Sequence, residues 1–303
     1  MNPAISQSLP ILSLVVAGFL LKQLGLIRSG DSQVMARLIL NITLPALIFL
    51  SVARVNVGPA QLALLALCGV LVSLGLSLVS SLSVGYLGME RQVAGVFILA
   101  TMIINVGFFL FPVFSTVYGH EGISRLAAFD LGNTLVASTL GFFVATRYGN
   151  RPSNGIWRSI QRVLSLPILW AVFAGLLVNL LHISLGTFAV KIIEPLAVAN
   201  TPLAMLTLGA FLQFRVSKIP LMGLAVAIRM GGGFLLGQAL VKLAHLEGLD
   251  QAAVSIGASM PCGMAVMVYA ANEGMDTEFA AGTISLSILA GMVVLPILLS
   301  LNL

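Results

Sequence analysis

Apolar residues run along this chain in ten long stretches, at roughly 8–26, 33–53, 60–87, 92–117, 124–146, 164–182, 188–212, 219–243, 250–271 and 277–301. Short polar breaks separate them. A helix needs about 20 apolar residues to cross a bilayer, so each stretch reads as one spanning helix. The polar linker is Arg147–Val163, which carries Arg147, Arg151, Arg158 and Arg162 with Pro152 and Gly155 as helix breakers. It divides the chain into five spans and five spans. The pattern predicts an all-α membrane protein with ten transmembrane helices. Residues 1–147 form a first five-helix repeat, 148–163 a linker and 164–303 a second repeat. With an odd number of spans per half, the second half enters the membrane from the opposite side. Any similarity between the halves is therefore an inverted repeat. Some similarity is visible. Span 2 carries Asn41 and Pro45, and span 7 carries Asn200 and Pro202, each followed by a leucine-rich run. Spans 4 and 9 are both interrupted by small and proline residues.

Composition supports this picture. Of 303 residues 59% are apolar and 8% charged, against roughly 25% charged in soluble domains. Such a surface suits lipid, not water. The net charge of +5 does not call for nucleic acid, because the basic residues flank apolar runs. One side collects Lys22, Arg28, Arg37, Arg91, Arg147, Arg151, Arg158, Arg162, Arg215 and Lys218. The other collects Arg54, Arg125, Lys191 and Lys242. The positive-inside rule makes the first side cytoplasmic. Both termini then lie outside and the linker inside. Cys68 and Cys262 sit far apart within apolar runs and have no disulfide or metal spacing. The first run continues into Lys22 and Arg28 without a small-residue cleavage site and reads as a retained helix.

The chemistry is expected at the interruptions. Span 4 contains Asn105, Gly107 and Pro112; span 9 contains Ser259, Met260, Pro261, Cys262 and Gly263. Proline removes an N–H and glycine admits unusual backbone geometry. A broken helix in lipid strands polar groups, which is tolerated where the break lines a cavity or is buried in protein. The break also creates a half-helix N-terminus with free N–H donors and partial positive charge, suited to an anion. A proline kink without function is the competing reading. Charged residues inside the membrane cost at least about 2.5–3.5 kcal/mol. Arg229 lies about 15 Å into span 8 and Asp130 about 9 Å into span 5 at the helical rise. Asn133 follows one turn after Asp130 on the same face. Asp130 is a candidate proton carrier and Arg229 a candidate carboxylate ligand. Equally, the two neutralise each other, or each pairs with backbone carbonyls at a break. Asn41 and Asn200 either cap kinked helices or face the substrate. Enzyme motifs fail. His120–Glu121 lacks a second histidine at Ser124, Gly257–Ser259 meets Pro261 where a nucleophile elbow has glycine, and no Walker A sequence occurs. No metal or cofactor is expected.

Taken together, these residues resemble the auxin efflux carrier superfamily, whose plant branch is the PIN-type carriers. The resemblance covers essentially the whole chain. It rests on Leu9–Ile11, Gly18–Phe19, Gly25–Leu26, Leu38 through Pro45, Pro202–Gly209 and Ala270–Asp276. Its most specific element is the span 4 pattern Asn-x-Gly-Phe-x-Gly-x-Pro, matched by Asn105, Gly107, Phe108 and Pro112, with Leu110 replacing the second glycine. The resemblance implies a fold similar to sodium/proton antiporters and bile-acid carriers, in which broken helices 4 and 9 cross at the substrate site. It implies a scaffold of spans 1, 2, 6 and 7 and a mobile transport unit of spans 3–5 and 8–10. It also implies dimerisation through the scaffold. Family substrates are organic anions: auxin in plants, malate-like or malonate-like dicarboxylates in bacteria. The short linker is similar to that of bacterial members, which places the protein in a plasma membrane. Plant members have an uncharged polar residue near the position of Asp130, so an acid here leaves room for proton coupling.

The expected function is secondary active transport of a small organic carboxylate by alternating access. Expected substrate residues are Asn105, Gly107, Pro112, Ser259, Met260, Pro261, Cys262, Arg229, Asn41 and Asn200, with Asp130 and Asn133 for a proton. A channel or passive pore fits the same breaks. Proton symport, sodium symport and uniport all remain open.

Overall fold

The structure, a computed structural model, describes residues 3–55, 58–150, 161, 164–213 and 218–301. Most of the linker lies outside these, with Arg151, Arg158, Arg162 and Arg215. The described residues form twelve helices: α1 (Pro3–Gln23), α2 (Gly30–Arg54), α3 (Pro59–Leu87), α4 (Arg91–Met102), α5 (Val106–Val117), α6 (Gly119–Tyr148), α7 (Pro167–Leu180), α8 (Thr187–Phe211), α9 (Ile219–Leu243), α10 (Gly248–Ala258), α11 (Ala265–Glu273) and α12 (Thr277–Leu301). Six of them, α2, α3, α6, α8, α9 and α12, are long and apolar enough to cross a membrane. The shorter α1, α4, α5 and α7 are also apolar. Among the described residues no strand occurs; one isolated antiparallel bridge joins Ile104 to Cys262.

Local chemistry sets the helix ends. In α3, Pro59 occupies the first turn, where its missing N–H costs nothing, and Gly88 ends the helix at φ 58°. Within α2 and α5 the helix widens into a π turn, over Ile39–Thr43 and Val106–Leu110. Each π turn shortly precedes a proline, Pro45 or Pro112. A proline ring clashes with the carbonyl four residues back and cannot donate to it. The π turn relieves that conflict by moving the bonding to i−5: Leu44 donates to Ile39 and Phe111 to Val106. A third π turn, Ala227–Gly232, carries Arg229 in the middle of α9.

Glycine sets how closely the helices pack. A Cβ on Gly18 would overlap the Leu206 backbone, and one on Gly209 the Val15 carbonyl, so α1 and α8 touch backbone to backbone. Gly69 against Phe129 and Gly132 against Ala66 do the same for α3 and α6. Such small-residue seams are how helices associate in lipid, where no hydrophobic force drives them together. Two sets of helices result. In one, α1 packs on α8 and α2 on α7. In the other, α3 packs on α4 and α6, α9 on α10, and α10 on α6. The outer surface is apolar: Leu78, Leu82, Phe173, Val198, Val293 and Ile297 are all exposed. A patch of this extent suits a lipid surface, not water.

The second set is tied at both ends by charge. At one end Arg125 of α6 donates to Asp250 of α10 at 2.8 Å and also pairs with Glu121, while Gln61 of α3 donates to Asp250. At the other, Lys218 before α9 reaches Glu90 before α4 at 3.1 Å and Asp276 before α12 at 3.3 Å. Partial burial pulls the Lys218 ammonium down, but the two carboxylates outweigh it and hold the group above the ordinary lysine value.

Candidate functional site

The interruptions foreseen in spans 4 and 9 meet each other. Extended backbone at 103–105 separates α4 from α5, and a non-helical stretch at 259–264 separates α10 from α11. The first break is narrower than the Asn105–Pro112 stretch read from the sequence. Pro112 lies inside α5, because the π turn accommodates it and helix resumes before it. The two breaks cross as a reciprocal bridge. The Asn105 N–H donates to the Pro261 carbonyl at 2.9 Å, and the Gly263 N–H donates to the Ile103 carbonyl at 2.9 Å. Gly263 is required here by space, since a Cβ would press against Ile103 and Ile104.

Every buried peptide group needs a partner, and side chains supply those the bridge leaves over. Ile104 N–H donates to Asn133 Oδ1 at 3.3 Å. Cys262 N–H donates to Ser287 Oγ of α12 at 3.0 Å. The Thr101 carbonyl accepts from Arg229 Nη1 at 2.8 Å, and the Ala258 carbonyl accepts from Arg229 Nη2. Asn133 is held on three sides. Its Oδ1 also accepts from Ser73 Oγ at 3.2 Å, and its Nδ2 donates to Asp130 Oδ1 at 3.1 Å. The amide orientation follows from this set, because only the oxygen can accept from a peptide N–H. Ser259 turns back onto its own helix, Oγ to the Ser255 carbonyl at 2.6 Å.

After this accounting, specific buried donors are left over. Asn105 is 1% exposed and Arg229 0%, and Asn105 Nδ2 and Arg229 Nε have no protein acceptor. Asn200 Nδ2 is in the same condition, although Asn200 Oδ1 accepts from Thr43 Oγ1 in the π turn of α2 at 3.1 Å. Thr283 Oγ1 in α12 is also buried without a partner. An unmet buried donor costs about 1–3 kcal/mol.

The structure thus gathers Asn105, Ser259, Met260, Pro261, Cys262, Arg229, Asn133 and Asp130 around one crossing. Gly107 follows it in the π turn of α5, where a Cβ would stand 3.4 Å from Leu44. Asn200 lies on α8, which packs against that turn. Asn41 is not brought in: it is exposed on α2 and donates to the Arg37 carbonyl at 2.7 Å. Arg229 and Asp130 form no ion pair with each other among the described residues; each bonds to groups at the break instead. Ser73, Ser287 and Thr43 were missed from sequence. Serine and threonine recur throughout these spans, and only the fold distinguishes the ones that meet a broken backbone. A cavity of about 160 Å³ lies between α1, α2 and α8 on one side and α11 and α12 on the other. Lys22, Ser32, Gln33, Met264, Met267 and Ile284 line it, and Met264 is the last residue of the second break.

The sequence pattern of the membrane transport protein family, the auxin efflux carriers, matches residues 3–155 and 156–299. The chain belongs to this family. Two relatives agree: an uncharacterized transporter of Methanothermobacter thermautotrophicus, 28% identical over 95% of both chains, and one of Methanocaldococcus jannaschii, 25% identical over 90% of this chain and 91% of its own. The protein is therefore an integral membrane transporter. The family pattern at span 4 gains a structural meaning here. Its asparagine is the residue whose backbone bridges to Pro261 and whose side-chain amide is left over. Leu110, where the pattern has glycine, is fully buried in the core.

Proposed function

We propose that this family member is a secondary active transporter of small organic carboxylate anions, working by alternating access. The observation that carries the reading is the crossing of the two breaks, with Asn105 Nδ2 buried there and lacking a protein acceptor. A buried donor without a protein acceptor favours a ligand rich in acceptors, and a carboxylate offers two oxygens.

In this reading α4 with α5 and α10 with α11 are broken spans 4 and 9, and the helices make ten crossings as two inverted repeats. The exchanged pairings α1 on α8 and α2 on α7 support that arrangement, as does the bridge between corresponding residues of the breaks. The set α1, α2, α7 and α8 acts as scaffold, and α3–α6 with α9–α12 as transport unit. The cavity beside Met264 lies on the seam between them and carries Lys22 from the basic, cytoplasmic side. It is the inward route to the crossing. In this reading Asp130 carries the coupled proton, and its link to the Ile104 amide through Asn133 supports that role.

Uptake of labelled malate, malonate and indole acetate into proteoliposomes tests the reading. Saturable uptake of one of them, abolished by an excess of the unlabelled anion, supports it. A folded protein that moves none of these anions sinks the substrate class. Steady currents in planar bilayers without counter-transport would make it a channel instead.

A further inference from the structure

Arg229 is the largest fully buried side chain among the described residues, and it does not point a free guanidinium at the crossing. Two of its nitrogens are committed to the carbonyls of Thr101 and Ala258. In an unbroken helix those carbonyls would accept from the amides four residues on. For Thr101 that amide is Asn105, which is bonded to Pro261; for Ala258 it is Cys262, which is bonded to Ser287. Arg229 therefore stands in for one of the helix bonds that each of α4 and α10 loses at its last turn. Lysine could neutralise charge here, but its compact ammonium lacks the rigid fork that reaches two carbonyls on different helices.

The electrostatic balance follows. A half-helix carries about +0.5 elementary charge at its N-terminus and −0.5 at its C-terminus. The crossing receives the C-terminal ends of α4 and α10 and the N-terminal ends of α5 and α11, which sum to about zero. Arg229 adds one positive charge on the C-terminal side. Asn105, at the start of α5, keeps an unpartnered Nδ2. We infer that Arg229 is the positioning residue that sets the sign of this site: by capping the C-terminal ends of α4 and α10 it leaves the N-terminal ends of α5 and α11 unopposed, so the crossing accepts an anion. Its action on the substrate runs through the helix ends it neutralises. The inference rests on the reading of the crossing as an anion site.

The test compares wild type, Arg229→Lys and Arg229→Met in proteoliposomes. Each is checked for folding by its melting temperature and gel-filtration profile in detergent. The probes are labelled malonate and competition by malonate or by its neutral diamide. Arg229→Met is expected to weaken malonate about tenfold or more while leaving competition by the diamide within about threefold; Arg229→Lys is expected to keep malonate within about threefold. Wild-type malonate affinity in folded Arg229→Met overturns the inference. Equal losses for malonate and diamide also overturn it, because a purely structural role predicts them. If Arg229→Met does not fold, Arg229→Lys decides: retained malonate preference supports the inference, and loss of that preference overturns it. If the wild type itself takes up no anion, the parent reading fails and this inference falls with it. Wild-type uptake beside unaltered Arg229→Met sinks this inference alone.

Discussion

Asn105 has two separate jobs, and they are separable by mutation. Its backbone N–H makes half of the bridge to Pro261, which any residue but proline can do. Its side-chain Nδ2 has no protein acceptor, and in the proposed reading it meets the anion. Asn105→Ala therefore keeps the bridge, and melting temperature should stay within a few degrees of wild type while anion uptake falls about tenfold or more. Unchanged uptake would remove Asn105 from the site. Asp130 is legible by the same kind of reasoning. With Arg229 supplying one positive charge, an ionised Asp130 returns the sum at the crossing to zero, and a protonated one leaves it positive. Asp130→Asn mimics the protonated form and keeps, in its amide oxygen, an acceptor for Asn133 Nδ2. It is expected to bind anion but to lose accumulation driven by an imposed pH gradient, measured with and without sodium. Full pH-driven accumulation in the mutant would end the proton role.

At the scale of the element, the breaks are stable because each diverted peptide group is matched. Ser287 is the least conspicuous of these partners and sits on a different helix from the break it serves. Ser287→Ala leaves the buried Cys262 N–H without an acceptor, at a cost of about 1–3 kcal/mol. The lowered melting temperature in detergent checks this, and no change there would mean the amide finds another partner. The glycine seams make a second claim. Gly132 meets the backbone of Ala66 and Val70, which cannot rotate away as a side chain could. Gly132→Val should push α6 off α3 and destabilise the protein by about 1–3 kcal/mol or more, read as a lower melting temperature or loss of the folded peak in gel filtration.

At the scale of the molecule, one polar tie joins α3, α6 and α10 and the other joins the starts of α4, α9 and α12, and the two are not equal. The Arg125–Asp250 pair is mostly buried, with side-chain exposures of 14% and 8%. The Lys218 pair with Glu90 is exposed on the carboxylate side, at 79%. Removing one partner of a buried pair leaves an uncompensated charge and costs about 3–5 kcal/mol, whereas an exposed pair is worth about 1 kcal/mol or less. Arg125→Met is thus expected to lower the melting temperature far more than Glu90→Gln. Equal effects would refute the ranking. In the proposed mechanism these ties would let the helices they join move together against α1, α2, α7 and α8, and the cavity beside Met264 lies between α1, α2 and α8 and α11 and α12.

Much of this was legible in the chain alone. Run lengths of apolar residues determine that the protein is helical and lives in lipid, because backbone groups in a bilayer must be satisfied within the segment. Proline and glycine in spans 4 and 9 mark where helix fails, and family membership follows from Asn105, Gly107, Phe108 and Pro112. Sequence does not say where a break's orphaned groups go. Pro112 was assigned to the break, yet a π turn absorbs it. Asn41 and Asn200 look alike in sequence, yet one faces outward and the other is buried against Thr43. Arg229 reads as a ligand or a counter-ion by composition; only tertiary packing shows it capping α4 and α10 at once. The physical reason is the same in each case. Helix propensity and hydropathy act along the chain, while the hydrogen bonds that complete a broken helix come from other helices, 25 to 128 positions away for the side chains of Ser287 and Arg229.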